Sequence, residues 1–174
     1  MHKTTKHTSD HGKGIASFFE KIVIDVGIGR LSSQPNFEEK ILPQVMRDVA
    51  LISGQKPASR PAKKSIAGFK TRQGQVVGLK VTLRGKRMVD FFERMIKMVL
   101  PRVKDFGGIK LSAVDDGGSL NIGLREQLVF SEVSPELSPT TFSLGVTVVP
   151  KVKNKEKAME KYRSFGVPLK NPKS

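Results

Sequence analysis

Hydrophobic and polar side chains alternate from Lys21 to Gly27, with Ile22, Ile24 and Val26 on one face and Val23 and Asp25 on the other. That period of two predicts a strand, and Gly27 and Gly29 predict the turn that ends it. The period then lengthens. Ile41, Leu42, Val45, Met46, Val49 and Ile52 recur at helical spacing, with Asn36 as the expected cap, Glu38 and Glu39 in the first turn, a kink or a later start at Pro43, and a stop at Ser53-Gly54.

Alternation returns from Gln75 to Leu83, and Gly68, Gly74 and Gly78 punctuate the run before and within it, so a strand fed by a hairpin or long loop is expected. Met88, Phe91, Phe92, Met95, Met98 and Val99 mark one face of a further helix closed by Pro101. Such a Met and Phe stripe is what core packing requires. Two more strands are predicted, Asn121 to Phe130 and Phe142 to Val149, joined by a Ser/Pro-rich linker. A last helix runs from about Lys155 to Phe165. Residues 1–14 hold nothing that packs and read as a disordered basic tail, leaving 15–174 as a single domain. The later strands follow one another through short links. An α+β fold results, an antiparallel sheet with helices packed on one face and a long basic loop or hairpin projecting from it.

Charge sharpens this picture. The chain has 174 residues with 31 Lys and Arg against 16 Asp and Glu, a net charge of +15. Between Asp48 and Asp90 there is no acidic residue, while Lys56, Arg60, Lys63, Lys64, Lys70, Arg72, Lys80, Arg84, Lys86 and Arg87 all fall there. So many cations without one anion repel each other unless a polyanion screens them, which points to nucleic acid. Phosphates would meet the cations, glycines would let backbone N–H groups approach, and Phe69 could stack on a splayed base, as RNA binding needs. A membrane surface fits less well, because the chain has no Trp and one Tyr. No apolar run reaches spanning length, and the start lacks the apolar centre of a secretory signal, so the protein is expected to stay in the cytoplasm where it is made.

Catalytic chemistry is hard to assemble. Cysteine is absent, and His2, His7 and His11 all lie in the expected tail, spaced as solvated residues rather than as metal ligands. Asp115 and Asp116 sit in a glycine turn, where paired carboxylates are ordinarily solvated. Asp25 to Ser32 resembles the start of a dinucleotide fingerprint, but the third glycine is missing and Ser32 to Pro35 intervene before any helix. No enzyme, cofactor or metal is expected, with a nucleotide-binding enzyme built on Gly27 and Gly29 and a free RNA chaperone as the rival readings.

Several ordered blocks, Ile52-Ser53-Gly54-Gln55-Lys56-Pro57, Ala62 to Lys70, Arg72-Gln73-Gly74, Lys80 to Gly85, Phe91-Phe92-Glu93-Arg94 and Gly123 to Gln127, resemble the bacterial-type large ribosomal subunit protein number five over about residues 20 to 166. The resemblance implies a ribosomal protein of the central protuberance that binds 5S ribosomal RNA and large-subunit RNA. It also implies a flexible loop reaching the peptidyl-site tRNA, contacts with other central protuberance proteins, and a bridge to small-subunit protein thirteen. It places 5S RNA contacts at Gln55, Phe69, Arg72, Thr82 and Glu126, with Asp25 on the same surface. Lys56, Lys63, Lys64 and Arg84 of the basic run are assigned to the same RNA. The tRNA-facing loop is Gln73, Gly74, Gln75, Val76, Val77 and Gly78, and the bridge is sought around Gly107 to Gly118 and Ser131 to Pro139. A bacterial and an organellar ribosome both remain open.

Two positions depart from the family's pattern. Asp25 replaces an asparagine before the Gly-x-Gly turn, and a carboxylate can only accept hydrogen bonds. Gly145 replaces an aspartate. The two changes are expected to compensate within one polar network, a reading that a strong gain in RNA affinity from Asp25→Asn alone would overturn.

Overall fold

The computed structural model describes residues 7–69 and 71–170. In chain order it contains helix α1 (His7–Phe18), strand β1 (Phe19–Gly27), α2 (Leu42–Ser53), β2 (Ala58–Pro61), β3 (Val76–Leu83), α3 (Gly85–Arg94), β4 (Leu120–Leu124), β5 (Leu144–Pro150) and α4 (Lys155–Ser164). The strands form one open antiparallel sheet in the order β2-β3-β1-β5-β4, which is the expected α+β class. The chain divides into two compact units. The first comprises Met1–Val23, Leu83–Ile122 and Val146–Ser174, and the second Ile24–Thr82 and Gly123–Gly145.

The core of the first unit is aromatic. Phe19, Phe92 and Tyr162 are fully enclosed. The Phe19 ring lies 4.8 Å from Phe92 and 5.8 Å from Tyr162, nearly parallel to the latter, and Phe18 and Phe165 close the cluster edge-on or tilted. Such ring pairs add about 0.5–1.5 kcal/mol each beyond their burial. The Tyr162 hydroxyl donates to Gly118 O at 2.8 Å, so the one polar atom it brings into the core is satisfied. Gly118 has φ +83°, and a Cβ there would meet Ala158 Cβ at 2.8 Å, so only glycine fits. Asn154 caps α4 by accepting from the backbone N–H of Lys157.

Where an unpacked tail was expected, residues from His7 onward are helical. Gly12 and Gly14, poor helix formers, made this segment read as unpacked, although side chains at both positions would also fit. A Cβ on them would stand 3.6 Å from Val89 and from the Phe165 ring respectively, and Ile15 is fully buried. Residues 1–6 with His2 lie outside the described residues, as do the side chains of His7 and His11.

The α3 face also differs in one position. After Arg94 the helix widens into a π turn over Met95–Val99, which adds a residue to the turn and rotates the register. Met95, Val99 and Leu100 are therefore buried while Met98 is half exposed, against the expectation that it packs inward.

In the second unit, β1 and β3 obey the predicted alternation, burying Ile24 and Val26 from one and Leu79 and Val81 from the other. Asn36 is not a cap. It adopts φ +59°, and a wide turn over Phe37–Ile41 precedes α2, so Pro43 falls in the first turn of α2, where its missing N–H costs nothing. Gly54, at φ +72°, ends α2 as expected. The strand expected from Asn121 to Phe130 stops at Leu124, because Gln127 turns its side chain into the interior and takes over the role of a ladder. Its Nε2 donates to Thr140 O at 2.9 Å and its Oε1 accepts from the N–H of Phe142 at 2.9 Å. Thr140 O accepts a second amide, Gln44 Nε2, at 3.0 Å.

Two outcomes are expected from these buried polar groups. Gln127→Leu strands a buried N–H and weakens the bonding of a carbonyl, and should lower unfolding free energy by about 1–3 kcal/mol in denaturant titration. Burial is the largest cause raising the Tyr162 pKa above its unfolded value of 10.0. The neutral phenol therefore contributes stability below that pH, and it is lost as pH rises further. Tyrosinate absorbance, which reads this residue alone because it is the single tyrosine, should appear only together with alkaline unfolding. A phenolate titrating near its ordinary pKa in folded protein would contradict this.

Candidate nucleic-acid interface

Because strand side chains alternate, burying Leu79 and Val81 forces Gly78, Lys80 and Thr82 onto the opposite face of β3. Antiparallel pairing of β2 sets Ala58 opposite Lys80 and Arg60 opposite Gly78, so Arg60 shares that face. On β1 the same logic turns Asp25 and Gly27 outward, and both are exposed. Gly78 admits the close approach of β1, since a Cβ there would stand 3.2 Å from Val26 O. Within the second unit this yields a polar, glycine-rich sheet face carrying cations at one edge.

Residues 62–75 connect β2 to β3 and are held by their own hydrogen bonds. Ile66 and Thr71 exchange a pair of backbone bonds at 2.9 and 3.2 Å. Ala62 N–H donates to Gln75 O and Gly74 N–H to Ala62 O. Gly74 turns the chain at φ +83°. Opposite this connector lies the turn after β1, fixed by Ile28 N–H donating to Val77 O at 3.0 Å. The two enclose a groove of about 1160 Å³. Gly27, Gly29, Arg30 and Ser33 line one wall, and Ala62, Lys63, Lys64, Ile66 and Thr71 line the other.

Of the sequence-predicted residues, Lys63, Lys64 and Val77 line this groove, and Asp25, Gln55, Lys56, Arg72, Thr82 and Glu126 belong to the same unit. Lys56, Lys63, Lys64 and Arg72 are exposed in this unit, and among the described residues none of them, nor Arg60, forms an ion pair with an acidic side chain. Gln55 is half-buried and donates through Nε2 to Thr82 O at 3.1 Å, which joins the end of α2 to β3. Glu126 is exposed just beyond β4. Gly145 stands beside Asp25, since a Cβ on it would lie 3.8 Å from Asp25 O, an ordinary contact that leaves room for a side chain. Of the expected loop, Gln73 and Gly74 are exposed, whereas Gln75 is half-buried and Val76, Val77 and Gly78 already belong to β3.

Arg84 belongs to the first unit, where its guanidinium lies 3.6 Å from the Glu20 carboxylate and donates to Glu20 O. The side chain of Phe69 and the whole of Lys70 lie outside the described residues. Arg30, Ser33, Thr71 and Ser143 line the groove and were not singled out from the sequence. The one signal for them was the Gly27-Ile28-Gly29-Arg30 turn, whose glycines open a groove wall and stand with a cation.

Residues 18–72 match the family described as Ribosomal protein L5, and residues 76–169 match the C-terminal part of the same ribosomal family. The chain belongs to the ribosomal protein L5 family. It is 42% identical over 151 residues to the large ribosomal subunit protein uL5 of Syntrophomonas wolfei, covering 87% of this chain and 83% of that one. It is 43% identical over 152 residues to the uL5 protein of Desulfosudis oleivorans, with the same coverage. The Fusobacterium nucleatum uL5 protein is 40% identical over 151 residues, 87% of this chain and 80% of its own. L5 proteins are structural components of the ribosome and not enzymes, so the Gly27 and Gly29 turn belongs to no nucleotide-dependent active site. No helix among the described residues is long and apolar enough to cross a membrane.

Proposed function

We propose that this L5 protein is built into the large ribosomal subunit at the central protuberance, where it attaches 5S ribosomal RNA. The observation that carries the reading is the set of exposed cations at the β2–β3 edge of the second unit, for which the described residues supply no anionic partner. Phosphates are the natural counter-charge, because an RNA helix offers them at regular spacing across a shallow minor groove. The fixed sheet face behind them, with Gly27, Gly78, Gly123 and Gly145 outward and Asp25, Gln55 and Thr82 as polar groups, supplies close backbone approach and a few directional hydrogen bonds. Affinity then comes mainly from charge and selectivity from shape.

The same placement extends to other partners. Gln73 and Gly74, exposed ahead of β3, meet the elbow of the peptidyl-site tRNA, and large-subunit RNA takes the remaining basic surface. The bridge to small-subunit protein thirteen is assigned to the loops around Gly107 to Gly118 and Ser131 to Pro139, and neighbouring central protuberance proteins complete the setting.

Binding to folded 5S RNA should exceed binding to unstructured RNA of equal length, fall steeply with salt, and be matched by co-sedimentation with large subunits. Arg72→Ala and Thr82→Val should each weaken it by about 1–3 kcal/mol. Equal affinity for any single strand would instead identify a general RNA chaperone, and undiminished affinity of both variants would remove these two residues from the interface.

A further inference from the structure

Gln75 closes the connector just ahead of β3, and both ends of its amide are engaged inside the protein. Its Oε1 accepts the backbone N–H of Arg72 at 3.0 Å, and its Nε2 donates to Ser32 O at 3.2 Å. Its own backbone adds two more ties, N–H to Arg72 O at 3.2 Å and O from Ala62 N–H at 2.8 Å. Ser32 is itself immobilised, since its Oγ donates to Gly29 O at 2.7 Å and its N–H to Ile28 O at 3.0 Å. One side chain thus links the connector to the turn after β1.

The link opposes a force. Arg30 stands on one wall and Lys63 and Lys64 on the other, and like charges across a groove push its walls apart. Outside the groove itself, the bond from Gln75 to Ser32 ties the turn that carries Arg30 to the connector that carries Lys63 and Lys64, and so resists that push. We infer that Gln75 is a positioning residue, a latch that holds the cationic walls of this groove, and Arg72 beside them, at the spacing that RNA takes. The inference rests on the RNA-binding reading of the same surface. It assigns Gln75 a role through its neighbours, with no contact of its own to RNA.

Two measurements on the whole chain separate the latch from that reading. In the free protein, amide hydrogen exchange at Arg72 should be about tenfold faster in Gln75→Ala than in wild type, the loss of one hydrogen bond, with an unchanged melting temperature showing that the fold persists. Unchanged exchange overturns the latch whatever RNA does. With 5S RNA, Gln75→Ala should weaken binding about fivefold to tenfold by the same bond energy, and this penalty should shrink when Lys63 and Lys64 are both replaced by Ala, because nothing then drives the walls apart. A full penalty in that background means that Gln75 touches RNA directly and overturns the latch. Failure of wild type to prefer 5S RNA sinks the RNA reading alone, since the exchange experiment still judges the latch.

Discussion

A side chain on a strand has only two directions open to it, and in the second unit that constraint determines everything the surface can do. Once Leu79 and Val81 are committed to the interior, Gly78, Lys80 and Thr82 have no choice but the other face. The same holds on β1, where burying Ile24 and Val26 sends Asp25 and Gly27 outward. A slip of one residue in register would bury Lys80 and expose Leu79. The hydrophobic effect thereby fixes the position of a charged interface without a single contact made for that purpose.

Polar side chains complete what the alternation cannot. Gln127 ends the β4 strand and stands in for ladder bonds at Thr140 and Phe142. Gln44 meets the same carbonyl from α2, and Tyr162 binds Gly118 O within an aromatic core. Gln55 ties the end of α2 to β3, and Gln75 ties a connector to a turn. Amides serve well in this role because one end donates and the other accepts without carrying charge. In a strongly cationic chain that neutrality has a further use, since a carboxylate at these places would neutralise cations that a polyanion is to meet.

The strand and helix periods, the Gly54 stop, the acid-free run from Asp48 to Asp90 and the absence of catalytic groups were legible directly, because each is a local pattern with a local physical cause. The ordered motifs from Ile52 to Gln127 carried the family as well. Less legible were α1, whose glycines look like breakers although Ile15 between them and the next strand is fully buried, and Met98, displaced by a π turn that no hydropathy pattern encodes. The end of β4 depended on Gln127, a residue that reads as surface. Arg30, Ser33, Thr71 and Ser143 are scattered through the chain, and nothing in their spacing marks them as walls of one groove.

The sequence by itself therefore determined the types of most of the longer elements, the sign and crowding of the charge, and the kind of partner that such charge requires, all of which follow from residue chemistry and short-range spacing. The tertiary structure decided which cations are unpaired and which, like Arg84 beside Glu20, already have a partner. It also decided that Gln75 bonds to Ser32, 43 residues away in the chain. These outcomes depend on segments far apart in the chain being brought within hydrogen-bonding or Coulombic reach, a distance that spacing along the chain does not contain.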